Sequence, residues 1–203
     1  VLSPYEEKMY RKLGAKNTSV LPLRSLPNLL KSARPIRETG QLQLFFMGAS
    51  YNAPHNRRAA ALIIKEVAPE LEKRTPGKFF FHILGKKLPT DLSVLTRGNI
   101  KEEGFVPDLD AFLGQEVDVA VIPSLNRAGM HQKIFEPLAR GIPTIASPRG
   151  LGGYPFKGDE HLLLAETTSE FVKQILKLQD ISLRRRLSQK ALQLSQELFS
   201  QSN

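Results

Sequence analysis

The 203-residue sequence contains no cysteine. Disulfides, thiolate nucleophiles and thiolate zinc sites are therefore excluded, and a reducing compartment is expected. Histidine is scarce. His55, His82, His131 and His161 stand far apart with no ligand spacing, so no metal site is expected. No apolar stretch approaches the roughly 18 residues of a membrane span, and the N-terminus has no signal peptide. The chain starts at Val1 without a methionine, in what reads as mid-structure, so a fragment is expected, with any targeting segment upstream. Acidic residues are outnumbered 20 to 29 by lysine and arginine, leaving a formal charge of +9. That excess favours anionic partners: nucleic acid, acidic lipid or a phosphorylated small molecule. The basic residues are spread out, however. The only dense run is Arg184-Arg185-Arg186, and no aromatic–basic interleaving of the RNA-platform kind occurs, which argues against nucleic acid.

Apolar residues make up 41% of the chain and fall in ordered blocks, as in a globular protein. The length suits one domain of roughly 150 residues plus an appendage. Ser3–Leu13 is expected to be helical, with Ser3 as N-cap, Pro4 at the first helical position and Gly14 as the stop. Ser19–Leu23 reads as a short strand. Residues from Pro22 to Pro35 hold three prolines and read as a linker, which places a domain boundary near residue 38.

Beyond it strands and helices alternate. Strands are expected at Leu42–Met47, Phe79–Leu84, Asn99–Glu102, Val117–Ile122, Pro143–Ala146 and His161–Leu164. Helices are expected at His55–Arg74, Asp108–Leu113, His131–Arg140, Ser169–Leu178 and Leu183–Phe199. Continuous apolar strands separated by helices imply an α/β, doubly wound, Rossmann-like domain with a mostly parallel six-stranded sheet covered on both faces. Ligands of such domains bind beyond the carboxyl ends of the strands, where strand order reverses.

That rule confines the search to the loops after each strand. In the first, Gly48 follows a buried strand and permits close backbone approach to a ligand. The next helix turns its N-terminus towards the same crevice, with Arg57 and Arg58 adding charge. The glycine pattern is not G-x-G-x-x-G, which weighs against a dinucleotide cofactor. The second loop opens at Gly85 and the third runs from Gly104 to Asp108. There, Val106 could face a base from an apolar slot, and Asp108 is expected to cap the following helix. The fourth loop carries Gly129 and Met130 into a helix that displays Lys133 and Glu136 three residues apart, on one face. Lys133 could neutralise a diphosphate, and Glu136 could accept two hydrogen bonds from a ribose diol. Gly141 and Pro143 mark where that helix stops and the next strand begins. The fifth loop, from Ser147 to Gly153, is a flexible or phosphate-cradling loop, or an ordinary surface loop.

The segments LQLFFMGASYNAPHN, FHILGKK, NIKEEGFVPDLDAFL, VDVAVIPSLNRAGMHQKIFEPLARGIPTIASPRGLGG and HLLLAETTSEFVKQI follow one another over about residues 41–198. In this order they resemble the C-terminal, donor-binding domain of a GT-B glycosyltransferase of the retaining family-4 type. The most specific piece is G-x-x-x-K-I-x-E-x-L-A-x-G-I-P, followed by a strand and S-P-R-G. Residues 1–30 resemble the last helix and strand of that family's N-terminal, acceptor-binding domain.

The resemblance implies a role for each matched residue. Glu136 corresponds to the second glutamate of the family's Glu-x(7)-Glu motif, which binds the nucleotide ribose. Lys133 corresponds to the basic residue often found three positions before it. Gly129 and Met130 would face the diphosphate and sugar, and Val106 the base. The sequence departs from the pattern at Ala128, where the first glutamate would stand, and at SYNAPHNRR, which replaces an Arg and Lys pair. The implied activity is transfer of a sugar from a nucleoside diphosphate sugar, with no other cofactor. The acceptor, a glycan, lipid or protein, would be met through the N-terminal domain. The expected location is cytoplasmic, with peripheral membrane contact as an option. Three alternatives stay open: a degenerate nucleotide-binding or scaffold module, an epimerase of the same architecture, and a binder of nucleic acid or anionic membrane.

Overall fold

A computed structural model describes the chain except residues 2, 22–31, 33, 125–131 and 200–203. Helix α1 spans Pro4–Lys12, and the Ser3 hydroxyl accepts from the Glu6 amide at 3.2 Å, the expected cap. The α/β body then runs in chain order. It comprises β1 (Leu42–Gly48), α2 (Pro54–Leu62), a π turn (Ile63–Val67), α3 (Ala68–Arg74), β2 (Phe79–Gly85), α4 (Thr90–Ser93), β3 (Ile100–Gly104) and α5 (Leu109–Gln115). It continues through β4 (Val119–Ile122), α6 (Gln132–Ala139), β5 (Thr144–Ala146), a 3-10 turn (Pro148–Leu151), β6 (Leu163–Leu164), α7 (Thr168–Lys177) and α8 (Ile181–Phe199).

The six strands form one sheet in the order β3-β2-β1-β4-β5-β6, every pairing parallel. The doubly wound expectation holds, and strand order reverses between β1 and β4. The phenylalanines explain why β1 and β2 lie inside. Phe45, Phe46, Phe79 and Phe81 are at most 1% exposed. Such runs bury both faces of a parallel strand. Strand β3, by contrast, reads Ile-Lys-Glu-Glu-Gly and lies at the edge, where charges discourage further strand addition.

The helix expected over His55–Arg74 forms, with a wider turn in its middle: the Ala68 amide reaches back five residues, to the Ile63 carbonyl. This turn lies just before Pro69, whose ring would collide with the carbonyl four residues back in a regular helix. Helix α6 ends as expected at Gly141 (φ +65°), where the Gly141 amide bonds the Leu138 carbonyl at 3.0 Å and the Ile142 amide bonds Pro137 at 2.9 Å. This is the Schellman pattern that a left-handed glycine allows. One expectation fails over the described residues, and one helix forms that was not expected. Residues 19–21 form no strand; instead the Leu21 amide bonds the Val1 carbonyl at 2.8 Å. Helix α4 is a single turn that follows Pro89 with no side-chain cap, so it carries no start signal in sequence.

At the amino ends of β1 and β4 a second device ties the chain together. Asp118, 2% exposed, takes the Arg37 Nε at 3.0 Å and the Gln43 amide at 2.9 Å. Arg34 lies 3.9 Å from the same carboxylate and donates to the Leu113 and Val117 carbonyls. Arg184 donates to the Arg37 carbonyl at 2.9 Å and is itself buried. The arginine run is thus not one basic patch: its first member faces inward, while Arg185 and Arg186 face solvent. Leu187 is fully buried, and Leu183, Leu194 and Leu198 pack on the core.

Candidate functional site

The reversal of strand order puts the end of β1, the start of α2 and the first turn of α6 around one cavity of about 420 Å³. Its lining is Met47, Ala49, His55, Asn56, Gln132, Lys133 and Glu136. The Lys133 ammonium donates to Asn56 Oδ1 at 3.1 Å and sits 5.2 Å from the centre of the Phe46 ring. Asn56 is 7% exposed and is fixed by its own donation to the Ser50 carbonyl at 3.0 Å. Burial lowers the Lys133 pKa from 10.5 to about 8. Neither Asn56 nor the ring carries the negative charge that would oppose this shift. His55 is also pushed down, first by burial and then by Lys133 and Arg58.

Glu136, 8% exposed, lines the same cavity. Burial raises its pKa, while Arg140, whose Nη2 lies 3.4 Å from Oε1, acts in the opposite sense. The arrangement offers a cation and a carboxylate lining one recess, together with the amide end of α2, whose N-cap Ala53 supplies no side-chain acceptor. It can neutralise an anion and accept hydrogen bonds from hydroxyls of the same ligand.

Lys133 and Glu136 line the same cavity, on the one helix face that their spacing implies. Val106 lies elsewhere, in the loop after β3, half-buried against the core beside Phe105, which is 81% exposed. Gly129 and Met130, like Ala128, lie outside the described residues. Gly48 and Gly85 are opposed in register at the ends of β1 and β2. A methyl group on Gly85 (φ +129°) would come within 1.7 Å of the Gly48 carbonyl oxygen, and one on Gly48 within 2.7 Å of the Tyr51 ring. The space above Gly48 is thus filled by Tyr51, whose hydroxyl donates to the Leu84 carbonyl at 2.6 Å. The close approach that these glycines permit is between parts of the chain itself.

The charge expected from Arg57 is likewise committed: its guanidinium meets Asp91 at 2.9 Å. Arg58 donates from Nε to the Pro54 carbonyl at 3.3 Å. The fifth loop is wound into the 3-10 turn, and a methyl on its buried Gly150 would come within 2.3 Å of Ile134 and 3.0 Å of Ser124. That glycine serves packing rather than a phosphate. The residues the sequence did not single out are His55 and Asn56. They stand more than 70 positions from Lys133, and only the sheet order brings them to it. Among the described residues, no group of three or more His, Asp or Glu is placed to hold a metal ion.

Comparison with known proteins agrees with this fold. The family model described as glycosyl transferases group 1 matches residues 41–180. No curated protein matches the sequence. Among solved structures, a TarM mutant of S. aureus in complex with fondaparinux, alpha-GlcNAc-glycerol and UDP superposes with a TM-score of 0.77 at 17% identity, over 98% of this chain and 40% of that one. HepE of Anabaena, in complex with UDP and glucose, gives 0.71 at 14% identity, over 98% of this chain and 58% of that one. Sucrose-phosphate synthase of Thermosynechococcus elongatus gives 0.69 at 20% identity, over 100% and 54%. The chain thus spans about half the length of the structures it matches. These likenesses share the six-stranded parallel architecture described above, one half of a GT-B arrangement. With the family model matching well over half of its length, the chain belongs to the glycosyl transferases group 1, a family of sugar-transferring enzymes.

Proposed function

We propose that this chain is the donor-binding part of a retaining glycosyltransferase that takes its sugar from a nucleoside diphosphate sugar. One observation carries the reading: Lys133 and Glu136 line a single cavity at the reversal of strand order. Lys133 neutralises the diphosphate, with His55 beside it and the amide end of α2 nearby. Glu136 accepts from the ribose diol. Val106 faces the base, and Gly129 and Met130 the diphosphate and sugar. Two of the similar structures contain UDP, which supports a nucleotide ligand for this site as well.

In this reading the protein needs no general base of its own, because the departing phosphate takes the acceptor proton. What the protein supplies is position and a field that favours the leaving diphosphate. Residues 1–38 belong to the acceptor side, and the acceptor, a glycan, lipid or protein, meets the sugar through the rest of a two-domain enzyme. The enzyme works in the cytoplasm, peripheral to a membrane if its acceptor is a lipid. Among the described residues no helix is long and apolar enough to cross one. No cofactor beyond the donor is required.

Calorimetric titration with UDP, GDP and ADP, repeated on Glu136→Ala, tests this. Saturable binding of one nucleotide, weakened by the substitution, is expected; failure of all three to bind would overturn the reading. A second reading, a nucleotide-binding module without transfer, is favoured by Ala128 at the place of the family's first glutamate. It predicts binding in the same titration and no sugar transfer by the full-length protein.

A further inference from the structure

Arg140 does not line the cavity, yet it is the residue on which Glu136 leans. It lies one helical turn after Glu136 and is 7% exposed. Its Nη2 stands 3.4 Å from Glu136 Oε1 and 2.5 Å from Asp110 Oδ1. Its Nε is buried with no hydrogen-bond partner among the described residues, and its Nη2 meets these two carboxylates. Asp110 lies in the first turn of α5, two residues past the cap Asp108, in the helix that directly follows the Phe105–Val106 loop. One guanidinium therefore joins the carboxylate at the cavity to the helix that carries the third loop.

We propose that Arg140 is the positioning residue of Glu136: it keeps the carboxylate ionised and oriented for a ribose diol, and it ties that carboxylate to α5. The proposal rests on the donor-site reading above and adds to it the source of the carboxylate's ionisation. Burial alone pushes Glu136 towards the neutral acid, a poorer acceptor for two hydroxyls, and Asp110 pushes the same way. Arg140 is the principal opposing group. Among the described residues, the other charged or titratable groups lining this cavity are Lys133 on α6 and His55 on α2, while β1 contributes only Met47. Acidification therefore weakens nucleotide binding where Glu136 takes up its proton, and Arg140 sets how far down in pH that happens.

The test uses the chain as it stands. UDP, GDP, ADP and inorganic pyrophosphate are titrated into wild type, Arg140→Met, Arg140→Lys, Asp110→Asn and Glu136→Gln, and into the double variant Arg140→Met with Glu136→Gln, from pH 6 to 8.5. In Arg140→Met, nucleotide affinity is expected to fall about tenfold at the acid end and less at the alkaline end, with pyrophosphate unchanged. Lysine restores part of the loss. Asp110→Asn, an exposed substitution that leaves the fold intact, shifts the acid limb the other way, so that affinity persists to lower pH. In the Glu136→Gln background, Arg140→Met has no further effect. Equal losses for pyrophosphate and nucleotide, a pH-independent loss, or a loss that survives in the Glu136→Gln background would each overturn the role of Arg140. Should Arg140→Met fail to fold, the opposed shifts of Arg140→Lys and Asp110→Asn decide. Wild type that binds no nucleotide would instead overturn the donor-site reading.

Discussion

Replacing Lys133 with methionine keeps most of the side chain's length and removes a charge that its surroundings disfavour. The Lys133 pKa falls from 10.5 to about 8 on folding. Below about pH 8 the ammonium is charged in both states, and folding bears the full burial cost. Between about 8 and 10.5 the folded chain has lost a proton that the unfolded chain still holds, so stability rises with pH across this window. At about 1.36 kcal/mol per unit, the wild type gains about 2 kcal/mol from this group between pH 7 and 9.5. Partial exposure of the side chain to water reduces the figure to about 1–2 kcal/mol.

Methionine abolishes this slope. It also leaves the Asn56 oxygen without its donor, at a cost of about 1–3 kcal/mol, but that offset does not vary with pH. Urea unfolding followed by circular dichroism at pH 7 and 9.5 measures the difference. The two stability curves are expected to diverge by about 1–2 kcal/mol, equivalent to about 2–8 °C in midpoint for a chain of this size. Saturating UDP brings a polyanion to the ammonium, restores its proton and removes most of the wild-type slope. Parallel curves for the two proteins would refute the argument, because they would mean that the Lys133 ammonium is not penalised in the folded state.

Other perturbations separate packing from binding. Gly85→Ala drives a methyl group to 1.7 Å from the Gly48 carbonyl at φ +129° and is expected to cost more than about 4 kcal/mol. Gly98→Ala, at φ +63° with nothing within 4 Å, costs about 1 kcal/mol in the same denaturant titration. Asp118→Asn removes the carboxylate that gathers Arg34 and Arg37 and is expected to lower stability by about 3–5 kcal/mol while nucleotide affinity stays as it was. Phe105→Ala, at an 81% exposed position, changes stability by less than about 0.5 kcal/mol. If the base lies against this loop, the loss of stacking weakens nucleotide binding by about 1–3 kcal/mol. Unchanged affinity there would move the base elsewhere.

What was legible in the sequence was what local physics decides. The phenylalanine-rich runs of β1 and β2 could only be interior strands, and their parallel pairing follows from the intervening helices. Ser3, Asp108 and Gly141 act as caps because each satisfies backbone groups of its own neighbours. Lys133 and Glu136 share a face because three residues of helix make it so. Contacts across the fold were not legible. A glycine after a strand signals that something comes close without saying what, and on the Cβ side of Gly48 the neighbour is Tyr51. Arg57 read as charge for the crevice, yet Asp91 lies 34 residues away and claims it. Asn56 carried no mark beyond its place in the first turn of a helix, since its meaning depends on the β1–β4 adjacency that lays it beside Lys133.

The two ends of the sheet handle charge differently, and this difference supports the proposed donor site. At the amino end, Asp118 is approached by Arg34 and Arg37, and further donors of these two and of Arg184 go to the carbonyls of Leu113, Gln115, Val117 and Arg37, while Arg34 Nε, Arg37 Nη2 and Arg184 Nε are buried with no hydrogen-bond partner among the described residues. Both oxygens of the one carboxylate are engaged there, and the cluster holds the chain together. At the carboxyl end the pairing is incomplete. Among the described residues, Lys133 has a neutral amide and a ring against it, and Glu136 has a 3.4 Å contact with an arginine that it shares with Asp110. Groups held this way are costly in the empty protein, and a ligand bearing both an anion and vicinal hydroxyls offsets both costs at once. A bare phosphate meets only the cation and a bare sugar only the carboxylate. A nucleoside diphosphate should therefore bind more tightly than the sum of pyrophosphate and nucleoside contributions obtained with Glu136→Gln and Lys133→Met. Strict additivity in that comparison would mean that the two halves of the cavity act independently.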